Sequence, residues 1–119
     1  MTAHNSILAE HHGSWDAVPV ERIAPGIDRQ MVWGERLMVC RLRFDPHVVT
    51  PIHAHPHEQI TLVEKGRVLF TIDGEERQVA EGAVLHFPPD VRHGARMLEE
   101  EVVLVDIFTP IREEFLPAD

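Results

Sequence analysis

Histidine is the residue type in this sequence best suited to carry out chemistry. The chain has nine histidines in 119 residues, and four of them, His47, His53, His55 and His57, fall within eleven consecutive positions. On an extended strand, His53 and His55 would project from the same face with their Cα atoms about 6.6 Å apart. Two imidazoles at that spacing can bind one ion, so this segment is predicted to form a metal site.

Gln59 is a third candidate ligand, because it has the same parity along the strand as the two histidines. In a straight strand it would lie about 20 Å from His53, too far for one ion to contact both. Pro56 has no backbone N–H and disfavours helix in the residue before it, so a bend there could bring Gln59 back on a following strand. Glu58, which is anionic, and His57, which shares the parity, remain alternatives.

A fourth ligand must come from elsewhere in the chain, and we expect His93 to supply it. His93 follows the turn signal Pro88-Pro89-Asp90 and precedes Gly94. Three imidazoles and one amide oxygen suit one divalent transition metal ion, Zn, Ni, Mn or Fe, better than Ca or Mg. Because this set leaves coordination positions open, the ion is expected to face a substrate. The other histidines are assigned to the surface or to packing: His4, His11, His12, His47 and His86. His86 is also a candidate to contact the ligands.

Asp106 is an unusual acid, because it interrupts a run of valine, leucine and isoleucine near the C-terminal end of the sequence. Burying a carboxylate is costly unless its pKa rises or a cation accompanies it. Phe108 shares its strand face, and Arg112 follows the Thr109-Pro110 turn closely enough to return to the same pocket. The alternative is that Asp106 lies at a sheet edge with Arg112 as a surface salt-bridge partner.

The elements that must position these residues are predicted to be short β-strands. Turn signals recur at regular intervals, and apolar residues alternate with polar ones between them, most clearly over residues 38–44 and 67–73. Further strands are predicted over residues 60–63, 76–80, 83–87, 95–98 and 101–108. Asp73-Gly74 is a strong hairpin signal. After residue 30 no helical stripe of ten residues occurs, so an all-β sandwich or small barrel is predicted.

Composition restricts the class of protein further. With 44% hydrophobic and 26% charged residues, the 119 residues are expected to form one domain. A net charge of −9 argues against a nucleic-acid or anionic-membrane partner. The sequence has no apolar run of membrane-spanning length and lacks a signal-peptide profile at its start, so a cytoplasmic location is expected. A single cysteine, Cys40, rules out an internal disulfide.

The histidine spacing resembles that of the cupin superfamily, whose fold is a double-stranded β-helix, a form of jelly-roll barrel. Its first motif pairs two histidines separated by one residue with a later Glu or Gln and a glycine, matched here by His53, His55, Gln59 and Gly66. Its second motif is matched by Gly82, Pro88 and His93. Asp90 replaces a motif glycine and Met97 a motif asparagine, at turn and packing positions. The resemblance implies that the two histidines of the first motif, Gln59 and His93 bind the metal.

The C-terminal pattern D-x-F-x-x-x-R resembles the KdgF cupins of pectin degradation, and the likeness covers about residues 15–116. The resemblance implies metal-dependent opening of the ring of 4,5-unsaturated uronate monosaccharides from pectin or alginate, small anionic sugars. Asp106, Phe108 and Arg112 then fall on active-site positions. Asp106 would transfer protons, Arg112 would hold the uronate carboxylate and Phe108 would shape the pocket.

Three other interpretations are open at this stage: another metal-dependent cupin enzyme such as a dioxygenase, a non-catalytic sugar-binding or sensing cupin, and a purely structural domain with a vestigial ion. Because the protein carries net negative charge, an anionic substrate needs a locally positive pocket, to which Arg92 or Arg96 could contribute. Small sandwiches have exposed sheet edges, and cupins commonly cover theirs by pairing. We therefore expect a homodimer with residues before about Asp45 in the interface.

Overall fold

The computed structural model describes Leu8 and residues 10–117, and within them the backbone forms ten β-strands. In chain order these are β1 (Glu21–Ala24), β2 (Ile27–Trp33), β3 (Met38–Phe44), β4 (Val49–His53), β5 (Glu58–Lys65), β6 (Arg67–Ile72), β7 (Glu75–Ala80), β8 (Val84–Phe87), β9 (His93–Met97) and β10 (Val102–Thr109). Short 3-10 helices cover Trp15–Ala17 and Glu113–Phe115. None of the described helices is long and apolar enough to cross a membrane.

The strands form two antiparallel sheets. One has six strands in the order β1-β2-β3-β10-β5-β8, and the other has four in the order β4-β9-β6-β7. The chain moves from one sheet to the other at every connection from β3 to β6 and again at every connection from β7 to β10, so strands of the two sheets alternate along the sequence. The predicted all-β fold is confirmed.

The alternating patterns form the strands predicted from them. In β3, Met38, Cys40 and Phe44 are buried while the intervening side chains are more exposed. The turn between β6 and β7 contains Asp73 and Gly74 with φ values of 49° and 82°. Positive φ at both central residues is the geometry of a tight hairpin turn that matches the twist of the flanking strands, so the hairpin prediction is confirmed.

Strands β1 and β2 were not predicted, and β4 was anticipated only as an extended segment carrying His53 and His55. Along β2 nearly every side chain is half-buried, so no alternation is visible in its sequence. Strand β4 contains Pro51, which normally argues against a strand because proline donates no hydrogen bond. It is tolerated here because β4 lies at the edge of the four-stranded sheet.

The core lies between the two sheets. Its main cluster includes Phe44 and Leu104 from the larger sheet and Val68, Phe70 and Met97 from the smaller one. A second cluster, Met31, Met38, Cys40 and Phe108, extends the larger sheet's inner face toward one end of the molecule. Burial of these side chains fixes the two sheets face to face, and the polar site described below lies at that end.

Gly66, between β5 and β6, occupies a position where only glycine fits. Its φ is +88°, and a Cβ atom there would lie 2.5 Å from the carbonyl oxygen of Glu101. Asp90, which replaces a glycine of the second motif, adopts φ +67°. Aspartate tolerates this left-handed conformation better than most residues, so the substitution is compatible with the turn that leads to β9.

Candidate active site

Three histidines converge at one end of the sandwich. His53 is the last residue of β4, His93 is the first residue of β9 and pairs with it across the sheet, and His55 follows in the connection to β5. Their possible ligand atoms all lie within 4.8 Å of one another. His55 lies beyond the end of β4, so its convergence with His53 does not come from one continuous strand, as the sequence analysis had assumed. The connection turns its ring back toward the same point.

Backbone carbonyls determine which ring nitrogen each histidine presents. The Nδ1 atoms of His53, His55 and His93 each lie 3.0 Å from a carbonyl oxygen, those of Pro51, His57 and Val91 respectively. A carbonyl oxygen can only accept, so each Nδ1 carries the hydrogen and each Nε2 is left to bind a metal.

The two more deeply buried histidines favour the neutral form that metal binding needs. Burial lowers the pKa of His93 to about 4. The pKa of His55 is also lowered, first by burial and then by the positive charge of Arg112. Neutral imidazoles whose Nε2 atoms converge on one point can bind a metal ion without first losing a proton.

Gln59 joins this set from β5. Its Oε1 atom lies 3.0 Å from Nε2 of His55. Since Nδ1 of His55 carries the hydrogen, both atoms of this contact are acceptors, and a cation bound between them would interact favourably with both. Two ligand atoms about 2.1 Å from one ion and at a right angle are about 3.0 Å apart. The donor set therefore fits a divalent transition metal.

The other two candidates for this ligand point elsewhere. Glu58 faces the opposite side of β5 and contacts His86 through Oε2 at 2.7 Å, with both side chains about half exposed. The ring of His57 lies 5.5 Å from that of His55, but His57 is outside the three-histidine cluster. Among the three alternatives the geometry favours Gln59. The bend expected near Pro56 is present, because β4 and β5 belong to different sheets.

The remaining histidines fit their assignment. His11, His12, His47 and His86 are exposed, and His86 does not contact the cluster. His4 lies outside the described residues.

Asp106 lies in the middle of the larger sheet. Strand β10 pairs with β3 on one side and β5 on the other, so Asp106 is not at a sheet edge. The salt-bridge alternative is also wrong, because Arg112 pairs with Glu114 at 2.9 Å. Burial raises the pKa of Asp106 to about 6, although the hydrogen bond from Thr61 and the charge of Arg112 oppose the rise. A carboxyl with such a pKa can both accept and release protons near neutral pH.

A cleft of about 210 Å³ connects these groups. It is smaller than the roughly 300–1,000 Å³ of sites for drug-sized ligands and so suits a small ligand. Every site residue predicted from the sequence lines it except His55: His53, Gln59, His93, Asp106, Phe108 and Arg112.

Arg29, which the sequence analysis did not identify, also lines the cleft. The guanidinium groups of Arg29 and Arg112 lie over the ring of Phe115, at 4.5 and 4.2 Å from its centroid. The buried Nε of Arg29 has no hydrogen-bond partner among the described residues. The second cation of the cleft is therefore Arg29, while Arg96 lines a separate surface depression with Arg67.

The chain is similar to known proteins both in sequence and in structure. The family described as "Cupin domain" matches residues 40–108. The chain is 34% identical over 103 residues to the pectin degradation protein KdgF of Dickeya dadantii, covering 85% of this chain and 94% of that protein. A solved structure of KdgF from Halomonas sp. has a TM-score of 0.81 and 31% identity over 88% of this chain and 100% of that one. An RmlC-like cupin from Shewanella frigidimarina has a TM-score of 0.88 and 29% identity, covering 97% of this chain and 100% of that one.

Proposed function

This chain belongs to the cupin family and, within it, to the KdgF proteins, and from that premise we propose that it is a metal-dependent enzyme that opens the ring of 4,5-unsaturated uronate monosaccharides. Such sugars come from pectin and alginate breakdown, which agrees with the name of the Dickeya relative. One observation carries the proposal. A single small cleft holds a set of metal-ligand side chains, a partly buried carboxyl and two guanidinium groups.

His53, His55, Gln59 and His93 are the residues that would hold the ion. When bound, a divalent metal here would contact oxygens of the sugar and stabilise the negative charge that develops on them. The other groups of the cleft act directly on the substrate, and their positions indicate separate roles.

Asp106 is assigned the proton transfers. Ring opening is an isomerisation: the anomeric hydroxyl loses its proton, the bond from C1 to the ring oxygen breaks as a C1 aldehyde forms, and the electron pair passes to the ring oxygen as an enolate at C5. C4 then gains a proton and C5 becomes a ketone. As a carboxylate, Asp106 would take the hydroxyl proton, and as the acid it would return it to C4, so atoms and charge balance.

Arg112 and Arg29 would bind the carboxylate of the uronate. The protein carries a net charge of −9, so these two guanidinium groups must make the cleft attractive to an anion. The Arg112 side chain is only 13% exposed and its partner Glu114 is 53% exposed, so an incoming carboxylate would replace a weak surface contact. Two parallel hydrogen bonds from one guanidinium would orient the sugar over Phe108.

A homodimer is the proposed assembly, with residues before about Asp45 in its interface. The apolar side chains of Val20, Ile23 and Leu37 are 63%, 41% and 56% exposed, and all three lie in that part of the sequence. Strand β1 is an edge of the larger sheet, a position at which a second copy could add a strand. Light scattering at micromolar protein concentration tests the proposal, and a monomer there would count against it.

The reaction itself is tested with unsaturated galacturonate or mannuronate. Loss of the ultraviolet absorbance of the conjugated double bond should exceed the spontaneous rate in the presence of a divalent metal. Binding of the sugar with no acceleration would make the protein a non-catalytic cupin. Absence of ring opening together with Fe(II)-dependent oxygen consumption on a different substrate would make it a dioxygenase.

A further inference from the structure

Thr61 occupies a buried position between the candidate metal site and the proposed proton-transfer group. It lies two residues after Gln59 on β5, so the two side chains share a face, and it is directly opposite Asp106 on β10. Only 1% of Thr61 is exposed. Its Oγ1 is 2.8 Å from Nε2 of Gln59 and 2.7 Å from Oδ1 of Asp106.

These two hydrogen bonds have a defined direction. A carboxylate oxygen only accepts, so the single hydroxyl hydrogen of Thr61 is directed at Asp106. The oxygen of Thr61 is then free to accept, and it accepts from the amide nitrogen of Gln59. With its nitrogen held there, Gln59 must turn Oε1 toward the histidines, where it lies 3.0 Å from Nε2 of His55.

The opposite amide orientation is disfavoured by the same contacts. It would place Oε1 against a hydroxyl oxygen whose hydrogen is already used, and it would present N–H groups to the ion. An N–H group cannot bind a metal, so a flipped amide would remove one ligand. Metal binding thus requires the Gln59 amide to face the ion with its oxygen, and the position of Gln59 on β5 does not determine this orientation.

We propose that Thr61 is a positioning residue that fixes the Gln59 amide with its oxygen toward the metal and links that ligand to Asp106. The inference rests on the metal site of the proposed function. Groups that orient metal ligands through hydrogen bonds typically change metal affinity by about 10–100-fold when they are replaced. Loss of the Thr61 hydroxyl is expected to weaken binding within that range.

The test is calorimetric titration of the full chain with Co²⁺, with no substrate present. Thr61→Val removes the hydroxyl at nearly constant volume and should weaken Co²⁺ binding by about tenfold or more. Thr61→Ser keeps the hydroxyl and should restore the affinity to within about threefold of the original protein. Melting of each variant in a chelator confirms that it is folded, and if Thr61→Val does not fold, Thr61→Ala replaces it with the same expected results.

A double substitution separates positioning from packing. In a Gln59→Ala background no amide remains to be oriented, so Thr61→Val should cause no further loss of Co²⁺ affinity. Equal affinities of Thr61→Val and the original protein, failure of Thr61→Ser to restore binding, or a loss that persists in Gln59→Ala would each overturn the inference. If the original protein binds no Co²⁺, both the assignment of the metal site and the inference about Thr61 are overturned. Absence of ring-opening activity with the expected pattern of affinities would overturn the substrate assignment alone.

Discussion

Metal binding should stabilise the folded protein, and His53 is the position at which this can be tested most cleanly. His53 is exposed at the end of β4, so its replacement by alanine removes a ligand without opening a cavity. His93, in contrast, is buried and stacks on Phe87 with ring centroids 4.5 Å apart, so its loss would also disturb packing. A change in metal response caused by His53→Ala can therefore be assigned to the site.

The expected size follows from linkage. An ion present at 100 times its dissociation constant stabilises the folded state by about 2.7 kcal/mol. An unfolding entropy of about 2.1 cal/mol/K per residue gives about 0.25 kcal/mol/K for a chain of 119 residues. The melting temperature should then rise by about 11 °C. Replacing hydrogen-bond partners of metal ligands lowers metal affinity by up to about 100-fold, and replacing a ligand itself should lower it by at least as much. At the same ion concentration, the melting temperature of His53→Ala should then rise by about 2 °C or less.

The assay is calorimetric melting in a chelator and then with Zn²⁺, Ni²⁺, Mn²⁺ or Fe²⁺. Without metal, His53→Ala should melt within a few degrees of the original protein, as expected for an exposed substitution. The matched control is His86→Ala, an exposed histidine whose partner is Glu58 on the outer side of β5. The control should keep the full rise. A rise in His53→Ala as large as in the control, or no rise with any of these ions, would refute the ligand assignment.

Four further results are expected. Asp106→Asn should lower turnover on unsaturated uronate by about 10²–10⁴-fold in steady-state kinetics and keep its metal, and unchanged turnover would remove Asp106 from proton transfer. Arg112→Ala should mainly raise KM, and a fall in kcat alone would argue against carboxylate binding. Gly66→Ala should lower the free energy of unfolding by more than about 2 kcal/mol in urea titrations, because the new Cβ atom would clash with the Glu101 carbonyl. Gly82 also has a positive φ but lies in open space, so Gly82→Ala should lower the free energy of unfolding by only about 1 kcal/mol. Equal losses in the two variants would contradict the predicted clash. Burial and then the charge of Asp106 raise the pKa of Cys40 to about 12, so its thiol should resist alkylation at neutral pH until urea unfolds the chain. Rapid labelling of Cys40 in the folded protein would show that reagents reach its thiol.

Local patterns predicted most of the strands because burial on one face leaves a visible period of two. Strand β3 shows this clearly. The bounds of β4 could not be predicted, because Pro51 is acceptable only at a sheet edge and sheet order is not visible in a sequence. The convergence of His53 and His93 was predicted from motif spacing, and the structure places them directly opposite each other on β4 and β9. His53 and His93 meet because β4 pairs with β9, two segments that are distant in the sequence. The motif predicts this pairing only through its resemblance to known cupins.

Thr61 and Arg29 could not have been selected from the sequence alone. Threonine is common in strands, and nothing around Thr61 distinguishes it from a packing residue. Its importance comes from the register that sets it opposite Asp106. Arg29 lies on β2, whose sequence shows no alternation of apolar and polar residues, and in the cleft its guanidinium group packs against Phe115, 86 positions later in the sequence. Both residues derive their roles from long-range contacts.

The division of the site between the sheets has a functional consequence. His53 and His93 come from paired strands of the smaller sheet, whereas Asp106 and Gln59 come from paired strands of the larger one. Strand β5 is the element shared by both functions, because Gln59 faces the metal ligands and Thr61 bonds to Asp106. Replacement of His53 on β4 should therefore weaken metal binding without altering the contacts of Asp106. Substitutions at Thr61 should change metal affinity and the proton-transfer step together, because a single hydroxyl holds both groups in position.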